Sequence, residues 1–198
     1  MTLNRYNRRT MIPFEPIFIS TPRLSLRFLN EADLTAIYDI FSNHEVMRYG
    51  SYPAWTDRSQ AQEWLIRVQE DYDTGTALQL GLERKADSSL VGTCSLFHFH
   101  AVSRRAEIGY ALGRSYWRTG YMHEALQALL HHAFHTLDLN RLEADIDPRN
   151  LASARALKRL GFQKEGHLRD RWIVNGEVSD TAYYGLLRSE WQPLFNTD

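Results

Sequence analysis

Cysteine is nearly absent: Cys94 stands alone, so no intramolecular disulfide can form. A chain without disulfides suits a reducing compartment, and a cytoplasmic location is expected. Long apolar runs are missing too. No segment approaches the ~20 apolar residues a membrane helix needs. Near the start, after Arg5, Arg8 and Arg9, the stretch Met11-Ile12-Pro13-Phe14-Glu15-Pro16 interrupts any apolar run of signal-peptide length. Charge of one sign is not in excess either. With a formal net charge of -1 and no run of Lys and Arg, the chain has no phosphate-binding stripe, so neither nucleic acid nor membrane is expected as a partner.

What is present is the composition of an ordinary globular protein. A length of 198 residues with 43% hydrophobic residues closes one substantial core and is short for two. No repeat or linker divides it. A single domain over residues 21–192 is expected, with a lead-in over 1–20 and a tail over 193–198.

Hydrophobic periodicity orders the elements. Arg23 to Phe28 alternates as a half-buried strand, and Asn30 then offers an N-cap for a helix carrying Leu34, Ile37, Tyr38 and Phe41. A second helix after Asp57 stripes Ala61, Trp64, Leu65, Val68 and Tyr72 and stops at Gly75. Thr76 to Glu83, Leu90 to Phe99 and Ala106 to Leu112 read as an antiparallel meander. The most regular helical stripe runs from Met122 to Leu137. Arg141 to Ile146 is a short strand, a helix capped by Asn150 and closed by Gly161 follows, and two last strands flank the hairpin dipeptide Asn175-Gly176.

Two segments carry chemistry. Glu107-Ile108-Gly109-Tyr110-Ala111-Leu112-Gly113 leads into Tyr116-Trp117-Arg118-Thr119-Gly120-Tyr121-Met122-His123. A strand feeding a glycine turn and a helix start presents unpaired N–H groups and the positive end of the helix dipole, which favour a pyrophosphate. By itself such a junction is more often a plain connection. The second segment is Asn150-Leu151-Ala152-Ser153, on a helix that ends in Gly161-Phe162.

Together these segments resemble the two signature motifs of the GNAT superfamily of N-acetyltransferases. The wording Glu-Ile-Gly-Tyr and Tyr-Trp-x-x-Gly-Tyr, with Gly176 to Asp180 and Glu190-Trp191, resembles the RimJ/RimL-type branch, whose known members acetylate N-termini of ribosomal proteins. The resemblance implies an α/β (α+β) fold, with a mixed, mostly antiparallel sheet of about seven strands flanked by about four helices, in the order β-α-α-β-β-β-α-β-α-β-β read above. It implies acetyl-CoA as cosubstrate, lying between the fourth and fifth of these strands with its pantetheine against the backbone of Tyr110 and Leu112. Backbone N–H groups of the turn from Trp117 through Arg118, Thr119, Gly120, Tyr121 and Met122 to His123 would hold the pyrophosphate. Asn150 would bond the cofactor or serve only as a helix cap, and Lys158 or Arg159 would reach a phosphate or simply face solvent. Arg118 and Met122 are bulkier than the small residues of the general motif, so a tighter turn or a lower affinity is expected.

For catalysis the amine must shed a proton before it attacks. Glu107 is the candidate base, directly or through water, against the alternative of a carboxylate paired with Arg104 or Arg105. Ser153 would donate to the departing thiolate, and backbone N–H at Tyr110 would polarise the thioester carbonyl. Tyr49, His98, His100 and Trp172 are candidate acceptor-pocket residues, with Tyr52 beside them. His98 and His100 fall on one side of a strand and His131 and His135 one helical turn apart, yet no carboxylate or cysteine pattern completes a zinc site, so no metal is expected. The expected partners are acetyl-CoA and an amine acceptor, either a protein N-terminus or a small amine. A non-catalytic acyl-CoA-binding module on the same fold is the competing reading, and both monomer and homodimer stay open.

Overall fold

The computed structural model describes residues 12–192. Arg5, Arg8, Arg9 and Met11 of the lead-in and the 193–198 tail lie outside them. The described residues build one eight-stranded sheet in the order β1-β2-β3-β4-β5-β6-β8-β7. The strands are β1 (Phe18–Ser20), β2 (Leu24–Phe28), β3 (Leu78–Arg84), β4 (Ser89–His100), β5 (Arg105–Leu112), β6 (Arg141–Ile146), β7 (Gln163–Val174) and β8 (Glu177–Leu187). The helices are α1 (Leu34–Phe41), α2 (His44–Met47), α3 (Ser59–Thr74), α4 (Tyr121–His131) and α5 (Leu151–Arg159). Every neighbouring pair is antiparallel except β5 with β6.

The eighth strand, one beyond the seven expected, is β1 at the sheet edge, pairing Phe18 with Arg27 and Ser20 with Ser25. Three residues are too few to show alternation, and they sit in the segment read as lead-in. The additional helix, α2, is a single turn whose N-terminus is held by Asn43, the side chain of which accepts from Glu45 and Val46 N–H. The long stripe from Met122 also differs from expectation. Here α4 ends at His131 and the chain widens into a π-type turn over His132–Thr136, where Leu137 N–H reaches the His132 carbonyl at 3.0 Å. The wider turn swings Leu137 and Leu139 into the core at 4% and 1% exposure.

Two apolar layers clamp the sheet. Leu126, Leu129, Leu130, Phe134 and Leu157 on α4, its extension and α5 pack with Leu80, Leu96 and Leu142 of the strands. Ile37, Leu65, Val68 and Tyr72 on α1 and α3 form the other layer with Leu29 and Leu90. Each fully buried leucine contributes about 1.5–3 kcal/mol. Caps match the sequence: Asn30 and Asp33 form a reciprocal capping box ahead of α1, Gly75 ends α3 at φ 70°, and Asn175 and Gly176 turn the last hairpin at φ 50° and 79°.

One irregularity positions the site. The parallel ladder between β5 and β6 runs through Arg105↔Arg141, Ala106↔Leu142 and Glu107↔Glu143 and stops, although β5 continues to Leu112 and β6 to Ile146. Past Glu107 the two strands part, leaving backbone groups on the inner side of β5 without a strand partner.

Candidate active site

A cleft of about 580 Å³ opens where β5 and β6 diverge. Its lining brings together seven residues singled out from sequence: Glu107, Tyr110, Asn150, Ser153, His98, Trp172 and, from the loop after α2, Tyr49. Leu112, the turn from Trp117 to His123, Lys158 and His100 are not in that lining.

Glu107 sits at the last paired position before the split, with its side chain 13% exposed. The pairing with Arg104 or Arg105 does not form: Arg104 reaches Asp138 at 2.7 Å and Arg105 reaches Glu143 at 2.7 Å. Glu143 also takes Arg141 at 2.8 Å, so the two cationic side chains at this end of the β5–β6 ladder both go to it. Glu107 is met instead by His98 Nδ1 at 3.2 Å.

One turn into α5, Ser153 Oγ lies 2.6 Å from the Tyr110 hydroxyl of β5. Burial pushes the Tyr110 phenol up to about 12, the bond to Ser153 opposing it, so at neutral pH the pair carries both of its protons. Asn150 caps α5, its Oδ1 accepting from Ser153 N–H at 3.1 Å. The cap therefore fixes the first turn that presents Ser153 to the cleft.

The glycine turn lies beyond the far end of β5. Arg118 at φ 64° and Gly120 at φ 86° both adopt the left-handed region, and the first bond of α4 runs from Glu124 N–H to the Gly120 carbonyl at 3.1 Å. Ahead of that bond, the N–H groups of Tyr121, Met122 and His123 have no intrahelical acceptor. Glu124, an acid in the first helical turn, is committed elsewhere. It accepts from Thr21 Oγ1 at 2.6 Å, from Arg23 N–H at 2.7 Å and from Arg23 Nε at 2.6 Å. Burial pushes its carboxyl up, but these bonds outweigh it and leave it below the usual range. The helix end thus keeps its positive character. His123 Nδ1 is buried without a partner among the described residues, and burial, then the Arg159 charge, lowers this imidazole's proton affinity. An imidazole with an orphaned nitrogen, a helix N-terminus capped only by the 3.5 Å contact from Tyr121 N–H to Thr119 Oγ1, and an exposed loop fit an anionic ligand.

Two expectations need correction. His98 and His100 do not share a strand face, because a bulge between Phe97 and His100 breaks the β4–β5 register and His98 takes φ 51°. His100 turns away, its Nδ1 accepting from Ser103 N–H at 3.1 Å in the β4–β5 turn. Tyr52 belongs to the aromatic cluster with Phe41 and Trp55 rather than to the cleft. Apart from these, the Leu112 carbonyl accepts from Trp117 Nε1 at 2.8 Å, a bond that folds the turn back on its own strand and leaves the carbonyl a second lone pair.

The sequence profile described as an acetyltransferase (GNAT) domain matches residues 23–163. This chain belongs to the GNAT acetyltransferase family. An uncharacterized N-acetyltransferase, p20, from Bacillus licheniformis is 36% identical over 171 residues, 86% of this chain and 96% of that one. The [ribosomal protein uS5]-alanine N-acetyltransferase of Escherichia coli is 27% identical over 203 residues, 95% and 98% of the two chains. Among solved structures, Mycobacterium smegmatis RimJ in complex with CoA-disulfide superposes with a TM-score of 0.80 at 25% identity, covering 91% of each chain.

Residues the sequence did not mark also shape this acetyltransferase's cleft. The Tyr110 side chain, singled out only for its backbone, meets Ser153. Asp145 on β6 accepts from Trp172 Nε1 at 3.2 Å. Arg149 pairs with Asp147 at 2.6 Å and with Glu177, and lies 5.9 Å from the Tyr49 ring, joining three segments at the cleft mouth. No local pattern announces these residues, because each acts across a tertiary contact. Among the described residues no group of three or more His, Cys, Asp or Glu is placed to hold a metal, and no helix is long and apolar enough to cross a membrane.

Proposed function

We propose that this acetyltransferase moves an acetyl group from acetyl-CoA to a primary amine, with a protein N-terminal α-amino group as the preferred acceptor. The observation that carries the reading is the meeting of Glu107 with the Ser153–Tyr110 hydroxyl pair in one cleft at the split of β5 and β6. The cosubstrate supplies an activated thioester. Backbone N–H groups from Arg118 to His123 would hold its pyrophosphate, and the open backbone of β5 would align its arm. Glu107 takes the proton from the acceptor ammonium and frees the nitrogen lone pair for direct attack in a ternary complex. The Tyr110–Ser153 pair, fully protonated at neutral pH, faces the same cleft and donates to the leaving sulfur. Asn150 holds that helix turn in place. Tyr49, His98 and Trp172 line the acceptor side.

Similarity to the E. coli enzyme that acetylates a ribosomal protein's terminal alanine supports the acceptor choice. So does acidity: an α-amino group has a reference pKa of ~7.7 to 8.0 against ~10.4 for lysine, and loses its proton to a carboxylate more readily. The reading keeps the protein cytoplasmic and places the catalytic unit at 21–192, with β1 added to its edge from the lead-in.

The test is thiol release with N-terminal peptides and a panel of small amines. Release that depends on the acceptor supports the enzyme; CoA binding without release from any acceptor supports the binding-module reading instead. Within this assay Ser153→Ala is expected to lower kcat about five- to tenfold, since a thiol is already a fair leaving group, with little change in the KM of the amine. Unchanged kcat would remove Ser153 from the chemistry.

A further inference from the structure

Glu107 can act as a base in successive turnovers only if the proton it takes leaves the cleft. Its carboxylate is mostly buried, so a route to bulk water is needed. From β6, Glu143 and Asp145 stand near it, and from β8 the Tyr183 phenol, which burial and then the charges of Glu107, Glu143 and Asp145 push up. None of these suits the task. Glu143 is locked by two arginines, Asp145 accepts from Trp172 with Arg171 of β7 at 3.9 Å, and the phenol keeps its proton.

The remaining neighbour is His98. Its Nδ1 lies 3.2 Å from Glu107 Oε1, while its side chain is 70% exposed, so the ring touches both the buried carboxylate and solvent. The backbone is shaped for this contact. A regular strand would alternate His98 away, but the bulge and φ of 51° re-aim it, and left-handed backbone at a non-glycine residue persists where surrounding structure enforces it. Imidazole is also the side chain that gains and loses a proton near neutral pH.

We propose that His98 is the proton exit of this site, a relay residue that empties Glu107 after each acceptor is deprotonated. The inference rests on Glu107 acting as base. The acceptor's N–H bond breaks, its electron pair stays on nitrogen and the proton goes to a Glu107 oxygen. With its own hydrogen on Nε2, His98 takes that proton at Nδ1 and becomes imidazolium. The Nε2 proton then passes to water or buffer, which restores the Glu107 carboxylate and leaves the ring hydrogen on Nδ1; tautomer exchange through solvent, open to a side chain 70% exposed, returns that hydrogen to Nε2 before the next turnover. No electron is gained or lost.

The variant to use is His98→Asn, because asparagine tolerates left-handed backbone and lacks the imidazole. We expect kcat to fall about tenfold with the amine KM within about twofold. Added free imidazole should restore the variant in proportion to its concentration and leave the unsubstituted enzyme unaffected. In the ligand-free protein, the ¹⁵N resonances of the His98 ring should move on Glu107→Gln while those of His100 stay. Undiminished kcat in His98→Asn, a loss that imidazole does not repair, or a His98 ring insensitive to Glu107→Gln would each overturn the relay. If Glu107→Gln is as active as the unsubstituted enzyme, or no acceptor is acetylated at all, the base reading fails and the relay falls with it.

Discussion

Replacing Glu107 by Gln is expected to lower kcat/KM for acetyl transfer about 10²–10³-fold at neutral pH, the lower part of the range a positioned general base supplies. The substitution keeps the shape and removes the proton acceptor. Because Arg104 and Arg105 are engaged by Asp138 and Glu143, it breaks no ion pair with them. The loss has a direction in pH. At low pH the acceptor is ammonium and depends wholly on a base, so the deficit is largest there. As pH rises through the acceptor's own pKa the free amine accumulates and the deficit narrows. Rates for one peptide acceptor across pH, with and without the substitution, measure this. A Glu107→Gln enzyme within twofold of the original throughout would sink the role.

The largest stability effect is expected at Arg27. Its guanidinium makes two bonds of 2.8 Å to the Asp33 carboxylate and one of 2.6 Å to Glu83, and Asp33 is only 4% exposed. Asp33 in turn accepts from Asn30 N–H at 2.9 Å, closing the box that starts α1. Arg27→Met leaves a buried carboxylate without its counter-charge, which destabilises by about 3–5 kcal/mol. For a chain of this size that corresponds to a fall of about 6–20 °C in Tm. Adding Asp33→Asn should recover part of the loss, because the uncompensated charge goes with it. Denaturant unfolding of the single and double variants checks this, and a single-variant loss below about 1 kcal/mol would contradict it.

How much of this was legible beforehand divides by range. Stripes such as Leu126, Leu129 and Leu130, and caps such as Asn30, Asn150 and Gly161, act within a few residues, so the sequence shows them. β1 and α2 are too short for periodicity to register. The π-type turn after His131 arises because Leu137 and Leu139 must both reach the core, a demand of packing rather than of local preference. At the site, the glycine turn before α4 and Asn150-x-x-Ser153 stood out as motifs. The meeting of Tyr110 with Ser153, 43 residues apart, did not, since it depends on where α5 docks beside β5. The part of the cleft around His98 was the least legible. Alternation placed His98 with His100, and a bulge, which alternation cannot foresee, separated them.

The central claim is that the splayed strands and the turn before α4 receive a CoA thioester. Calorimetric titration with acetyl-CoA tests it, with free CoA and ATP as controls and a Gly120→Val variant alongside. At φ 86° a β-branched residue is strained, so the loop must shift, while its Cβ, 3.3 Å from Arg23 Nη2, asks only a small displacement of that flexible side chain. Saturable binding of acetyl-CoA and CoA but not ATP, weakened about tenfold or more in a folded Gly120→Val protein, is the predicted result. No binding of either CoA species, or equal binding by the variant, would contradict the account.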